Sequence, residues 1–486
     1  MSRSSSGLIF GGKLRRSLDR CAPEGIRAAI PASRESGQEA ASQKGGWSTL
    51  KRICCALAIL LIGTPSRVSA QDDFIRTGTG IGMERTRLAV SSFQSNLDTA
   101  ALTRFFDATL WNDLEFAGIF ETVSRSFYPL ALPARPADVK LEEWSSPPVS
   151  AHMVVLGNVS RTGQQVAVEG WLVDPRNRTD PVVIGKRYVE EATEGQVRSI
   201  AHKFANEIIY RLGGGIPGVA ETKIAFVRRL SPRVKEIWMM DYDGANQEQV
   251  THLNSLALTP AISVEGDRIA FTTYARDNPD IMIFSLLTKR PLSFFNRKGL
   301  NTTPTWSPDG TKLVFTSSVT GDPEIYLGDS QGREVRRLTV ARGVDISPAW
   351  NPKTGAQIAF VSDRSGKPQI YLMDSDGANV TQVVSGGNQA LDPAWSPNGR
   401  LLTFTWDAGG AYDIWIMDVA TQQMVQLTKD QGRRNEHASW SPDNRHIVFQ
   451  SNRSGSPQIW MMLADGTRPR QLTFQGENSE PVWSSR

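Results

Sequence analysis

Few segments of this chain have residue types and spacings able to do chemistry, and their contexts argue against it. Gly328-Asp329-Ser330-Gln331-Gly332 has the Gly-x-Ser-x-Gly pattern of a nucleophile elbow. Such a serine attacks a carbonyl only where a strand turns sharply into a helix, with a histidine and an acid close by. Here the segment falls where neighbouring repeats carry Asp-x-Asp-Gly, so a hairpin turn is expected. Asp241-x-Asp243-Gly244-x-Asn246 and Asp374-x-Asp376-Gly377-x-Asn379 open like calcium loops but lack the distal Glu. Asp-Gly is also ordinary tight-turn chemistry. The five histidines, His152, His202, His252, His437 and His446, have no metal-ligand spacing. His202 is expected on the exposed side of an amphipathic helix; His437 stands apart because it leads into a recurring Trp strand. Gly78-Thr79-Gly80-Ile81-Gly82 lacks the strand–helix context of a dinucleotide loop. No catalytic residue, cofactor or metal is expected.

The framework that would hold any site is a repeat. Trp306-Ser307-Pro308, Trp350-Asn351-Pro352, Trp395-Ser396-Pro397 and Trp440-Ser441-Pro442 recur at intervals of 44, 45 and 45, and Trp483 follows 43 later. Ile262 occupies the same slot 44 residues before Trp306. Ile224-Ala225-Phe226, Ile269-Ala270-Phe271, Leu313-Val314-Phe315, Ile358-Ala359-Phe360, Leu402-Thr403-Phe404 and Ile447-Val448-Phe449 run in step. A period of about 40–45 residues made of short strands marks propeller blades. Six copies of each landmark give six blades. The first lacks a leading Trp strand and the last is followed by a lone one, Pro481-Val482-Trp483. That tail is expected to complete the first blade and close the ring, removing open sheet edges. Strict recurrence at one blade position assigns the tryptophans to packing.

Upstream the rhythm changes. Leu88–Phe93, Met153–Val159, Gln165–Val173 and Val182–Val189 read as strands. Asp98 is expected to cap a helix bearing Leu102, Phe105, Phe106 and Leu110. Thr193 and Gln196 form a capping-box pair before a second helix with Val197, Ile200, Phe204, Ile208 and Leu212 on its apolar face. Residues 129–148, with five prolines, read as an irregular loop. The fold class is thus multidomain: a small N-terminal α/β domain (87–212), a linker (213–222) and a six-bladed β-propeller (223–486).

Residues 50–70 read as a signal peptide. Lys51-Arg52 precede ten apolar residues, Ile53–Ile62, and Val68-Ser69-Ala70 offers a cleavage site near Ala70. Ten residues are too few to span a bilayer, which takes about 20. Residues 1–49 read as a disordered extension or as the product of a start placed too far upstream, and residues 71–86 as a flexible leader. Residues 1–70 hold 11 of the 54 Lys and Arg but only 4 of the 50 Asp and Glu. The remaining body is slightly acidic, so nothing in it calls for nucleic acid. Cys21, Cys54 and Cys55 all precede the cleavage site, which excludes disulfides and thiol catalysis from the mature chain.

Surface remains. The segments leading into the Trp strands fall on one face of a propeller and carry Asn301, Thr302, Asp345, Ser347, Asp392, Glu436, His437 and Glu480. They make a polar, mildly acidic ring with few apolar anchors, which reads either as a recognition surface or as a merely solvated rim.

The repeats Pro304-Thr305-Trp306-Ser307-Pro308-Asp309-Gly310, together with Trp171-Leu172-Val173-Asp174, Lys223-Ile224-Ala225-Phe226-Val227 and Asp241-Tyr242-Asp243-Gly244-Ala245-Asn246, resemble the TolB family of the Tol–Pal envelope system over nearly all of residues 71–486. The resemblance implies a periplasmic, monomeric, non-enzymatic scaffold. It implies that the loop face binds the peptidoglycan-associated lipoprotein Pal. It also implies that the leader, around Asp73, Phe74, Ile75 and Arg76, engages a TolA-type inner-membrane protein, the two events being coupled. Maintenance of outer-membrane integrity and invagination at division would follow. The alternatives are a glycan-binding propeller, which would expose Trp at the loop face, and a peptidase-associated one, which would need a catalytic domain.

Overall fold

The computed structural model describes residues 85–485 except 277, 296, 408, 430 and 431. The expected signal peptide and the leader residues Asp73, Phe74, Ile75 and Arg76 lie outside the described residues.

The first part is one sheet covered on both faces. Strands β1 (Thr86–Val90), β3 (Phe120–Thr122), β4 (Met153–Thr162), β5 (Gln165–Val173) and β6 (Val182–Glu191) stand in the order β3-β1-β4-β5-β6, with the short β2 (Gln94–Ser95) also on β4. β1 runs parallel to β3 and β4, β2 is parallel to β4, and β4-β5-β6 are antiparallel. Side chains alternate across the sheet. Leu88, Val90 and Val155 meet helices α1 (Ala100–Phe116) and α3 (Glu194–Leu212), whose Phe106, Leu110, Phe204 and Ile208 complete that core. Ala89, Val154 and Leu156 meet Trp144 of the short helix α2 (Leu141–Ser145) on the other face. The proline-rich stretch expected as a mere loop therefore carries the lid of the second face. The cap of α1 also differs from expectation. Asn96, not Asp98, accepts the Thr99 N–H at 3.1 Å, because a 3₁₀ turn at Leu97–Thr99 precedes the helix. Thr193 caps α3 as expected, its Oγ1 accepting the Gln196 N–H at 3.3 Å.

The second part is six four-stranded antiparallel blades. Within each, strands a to d run outward from the axis. The a strands are Glu477–Trp483, Ala257–Ile262, Asn301–Trp306, Asp345–Trp350, Gln389–Trp395 and Asn435–Trp440 for blades one to six. Blade one is completed by the chain's end: Trp483 pairs with Ile224 and Val482 with Ala225. Ile262 pairs with Ile269 as Trp306 does with Leu313, which confirms the slot it shares with the tryptophans. The recurring tryptophans pack between blades, and their indole N–H groups bond inward. Trp306 donates to the Ala261 carbonyl, Trp395 to that of Ala349 and Trp483 to Thr222 Oγ1. The Asp-x-Asp-Gly turns are tight for two reasons. Gly377 and Gly244 have φ of 96° and 92°, and a Cβ on either would sit 2.5 Å from the carbonyl oxygen of Leu338 or Leu472 in the adjoining blade. Gly328–Gly332 is likewise a hairpin turn, Asp329 Oδ1 accepting the N–H groups of Gln331 and Arg333.

The two parts meet through buried polar groups. Asp113 of α1 accepts from the Tyr242 hydroxyl and contacts His202 Nδ1 at 2.7 Å. His202 is thus buried rather than exposed, because the helix face opposite the sheet is covered by blade one. Arg198 bonds Asp241 and Asp243, the blade-one turn, at 3.3 and 2.6 Å. His446 of blade six lies against Phe116, with Nε2 2.9 Å from the Phe116 carbonyl and Nδ1 2.9 Å from Asp443 Oδ2.

Candidate functional site: the channel mouth

Every a strand carries a bulge. Pairing with strand b shifts between Leu258 and Ala261, Thr302 and Thr305, Ile346 and Ala349, Leu391 and Ala394, Glu436 and Ser439, and Ser479 and Val482. The residue pushed out is Thr259, Thr303, Ser347, Asp392, His437 or Glu480, with φ between 49° and 54° in all six. Left-handed backbone at a non-glycine residue costs about 1–2 kcal/mol. Such strain persists only where the surroundings enforce it. Here the enforcement is visible. In four of the six the bulged N–H donates to a side chain on strand b of the preceding blade: Thr303 to Thr272 Oγ1, Ser347 to Thr316 Oγ1, His437 to Thr405 Oγ1 and Glu480 to Gln450 Oε1, at 3.0–3.3 Å. Blade one has Val227 at that position, and the Glu480 carboxylate takes the Thr259 N–H instead, at 2.6 Å. The result is a ring of half-buried side chains facing the axis.

That ring is chemically lopsided. Blades two to four contribute Thr259, Thr303 and Ser347; blades five, six and one contribute Asp392, His437 and Glu480. His437 Nδ1 is 3.5 Å from Asp392 Oδ1, and Glu436 stands beside it, held by Arg434 at 2.6 Å. Burial pulls the His437 pKa down, but Asp392, Glu480 and Glu436 outweigh it against the opposing Lys235, so it ends above its usual range. Burial, with the charges of Glu436 and Glu480, pushes Asp392 up against the pull of His437. The sector is therefore acidic, with one imidazole held toward its charged form.

The eight rim residues expected from sequence divide. Ser347, Asp392, Glu436, His437 and Glu480 come together at the mouth. Asn301, Thr302 and Asp345 are buried and face the blade interior. Asn301 bonds Asp280 and Ser317, and Asp345 takes a guanidinium hydrogen bond from Arg364 at 2.7 Å. Their side chains offer a partner no surface, because they start strand a one pleat before the bulge. Sequence reasoning missed the bulge itself; its trace is the proline two residues before the Trp slot, at Pro260, Pro304, Pro348, Pro393 and Pro481. It also missed two exposed apolar side chains on the loops between blades. Val340 and Phe474 each follow a Leu-Thr strand ending and are 82% and 74% exposed.

Among the described residues no group of His, Cys, Asp and Glu has the geometry to hold a metal ion, and no helix is long and apolar enough to cross a membrane. The TolB beta-propeller domain family matches residues 210–393 and 384–486, and the TolB amino-terminal domain family matches residues 79–180. The chain belongs to the TolB family. A Tol-Pal system protein TolB of Desulfosudis oleivorans is 34% identical over 259 residues, covering 52% of this chain and 56% of that one. A TolB homolog of Chlorobium chlorochromatii is 33% identical over 49% of this chain and 53% of its own. The matches thus span about half the length of these curated relatives. The crystal structure of TolB from Acinetobacter baumannii superimposes with a TM-score of 0.71 at 26% identity, over 83% of this chain and 97% of that one. The superposition takes in both the α/β sheet and the six-bladed ring of this chain.

Proposed function

We propose that this chain is a periplasmic, non-enzymatic scaffold of the Tol–Pal envelope system, exported by the segment at residues 50–70. In this reading the channel mouth receives a Pal-type peptidoglycan-associated lipoprotein. The leader containing Asp73, Phe74, Ile75 and Arg76 engages a TolA-type inner-membrane protein. The two contacts together support outer-membrane integrity and invagination at division. The observation that carries the reading is the charged half of the strained ring, Asp392, His437 and Glu480, with exposed Phe474 on the loop between blades six and one. Charge beside an exposed aromatic side chain on a rigid frame is the composition of a recognition surface.

The test is a titration of the soluble domain of a Pal-type lipoprotein into the mature chain. Binding is expected, weakened at least tenfold by Asp392→Asn with Glu480→Gln, and less salt-dependent in that variant. Absence of binding by the unaltered chain overturns the reading. Removing residues 71–82 is expected to leave Pal-type binding intact and to abolish capture of a TolA-type domain. Normal capture by the shortened chain refutes the leader's role. N-terminal sequencing of the periplasmic product checks the cleavage near Ala70.

A further inference from the structure

Among the six bulged residues of the ring, His437 is the one histidine, and Thr259, Thr303 and Ser347 across the channel carry no charge. The bulge fixes His437 beside Asp392. Its N–H is held by Thr405 Oγ1 at 3.2 Å, and its Nδ1 stands 3.5 Å from Asp392 Oδ1. The two side chains are 34% and 22% exposed, so solvent and a partner can both reach the pair. The three carboxylates of this sector differ in what they already hold. Glu436 is fully engaged: Arg434 donates to both of its oxygens, at 2.6 and 3.2 Å, and Gln450 Nε2 to one of them at 3.0 Å. Glu480 Oε2 takes the neutral Thr259 N–H at 2.6 Å. Asp392 Oδ2 takes the Thr405 hydroxyl at 3.3 Å, and among the described residues its one ion-pair partner is His437.

The charges acting on His437 come from several strands. Asp392 lies on strand a of blade five, Glu436 on the histidine's own strand, Glu480 on strand a of blade one, and Lys235 on strand c of blade one. Arg434 stacks on Tyr412, 4.3 Å from the ring centre, and is held by Glu436. Tyr412, and Tyr274 near Glu480, are pushed up by burial and stay neutral. Three carboxylates thus face two fixed cations, Arg434 and Lys235. The sector is one positive charge short when His437 is neutral and balanced when it is an imidazolium. As pH rises, the Asp392–His437 pair gives up a single proton that belongs to the pair as a whole. A cationic side chain brought by a partner fills the same deficit. It meets an uncompensated carboxylate only where the proton has left. Where the proton stays, it meets a like charge in a site that docking closes to water, and there the repulsion is strongest.

We propose that a proton and a cationic side chain of the partner compete for Asp392 in the channel mouth, so that docking releases a proton and tightens as pH rises. The inference rests on the mouth being the docking surface for a Pal-type lipoprotein. The test is a calorimetric titration of the full mature chain with the soluble domain of such a lipoprotein, between pH 6 and pH 9. Two buffers of different ionisation enthalpy read the protons exchanged. Release of up to one proton per complex is expected. Affinity is expected to rise about tenfold across the range, the equivalent of displacing the pair's pKa by about one unit. His437→Asn carries no charge and tolerates the left-handed backbone, so it is expected to bind with little dependence on pH. His437→Lys keeps a positive charge throughout and is expected to bind about tenfold more weakly than His437→Asn at every pH. An affinity that is constant or falls as pH rises, an undiminished slope in His437→Asn, or equal binding by the two variants would overturn the proposal and leave the docking surface in place. No binding at any pH would overturn both.

Discussion

His446→Gln tests how the propeller is fastened to the α/β domain. The ring is wholly buried, with a carbonyl acceptor at Nε2 and a carboxylate at Nδ1. Satisfying both requires a proton on each nitrogen, so the residue is an imidazolium paired with Asp443. Burial pulls its pKa down, but Asp443 and the Phe116 carbonyl outweigh that and the opposing Arg445, and it ends above its ordinary 6.5. Asp443 is pushed up by burial but ends below its ordinary 3.8 through His446, Ser441 and the Arg445 N–H. The sign follows from linkage. The histidine's contribution is whole below pH 6.5 and fades as pH rises through its raised value; the aspartate's is whole above pH 3.8 and fades as pH falls through its lowered value. Removing one partner of a buried pair costs about 3–5 kcal/mol. Asp443 keeps the Ser441 hydroxyl and the Arg445 N–H at 2.8 Å after the change. That places the loss near the lower end, about 3 kcal/mol, or about 6–12 °C in Tm at 2–4 °C per kcal/mol. Calorimetry at pH 6 and pH 9 reads it. The gap between the unaltered chain and His446→Gln is expected to be about 3 kcal/mol at pH 6 and smaller at pH 9, and Asp443→Asn/His446→Gln is expected to recover part of it. A variant as stable as the original at pH 6, or a gap that does not narrow with pH, refutes the ion-pair argument.

Other outcomes are expected from the same structure. Arg198→Ala strands Asp241 and Asp243 at the interface; with Lys223 and Asn246 still on Asp241, the loss in urea unfolding is about 2 kcal/mol, and no measurable change would contradict the interface described. Trp483→Ala removes the wedge between the first and last blades and is expected to cost about 3–5 kcal/mol. Truncation after Thr473, which deletes the closing strand, is expected to abolish cooperative melting; an unchanged Tm would count against closure by that strand. Phe474→Ala is expected to change stability by less than about 0.5 kcal/mol, the side chain being largely exposed, yet to weaken Pal-type binding about 5–30-fold. Unaltered affinity would remove Phe474 from the docking surface.

The sequence alone determined the architecture. Repeats of 43–45 residues, six Phe strands and a displaced Trp strand specify six blades and their closure, since a four-stranded blade cannot bury both faces without neighbours. Periodicity likewise placed the two long helices and the strands of the α/β sheet. What it left open are contacts whose partners lie far along the chain. His202 looked exposed because the helix face away from the sheet is polar; only blade one, through Tyr242, turns that face into an interior. His446 meets Phe116 across 330 residues. Asn301 and Asp345 were grouped with His437 by alignment of the repeats, yet one pleat separates a side chain facing the blade from one facing the channel. In four of the six blades the bulge that makes that difference is held by a hydroxyl or amide on the neighbouring blade. Local pattern dictates which elements form, because apolar periodicity is a property of consecutive residues. Tertiary structure decides which polar groups are satisfied, charged or left without a partner, because that depends on which distant atoms the fold brings within about 3 Å.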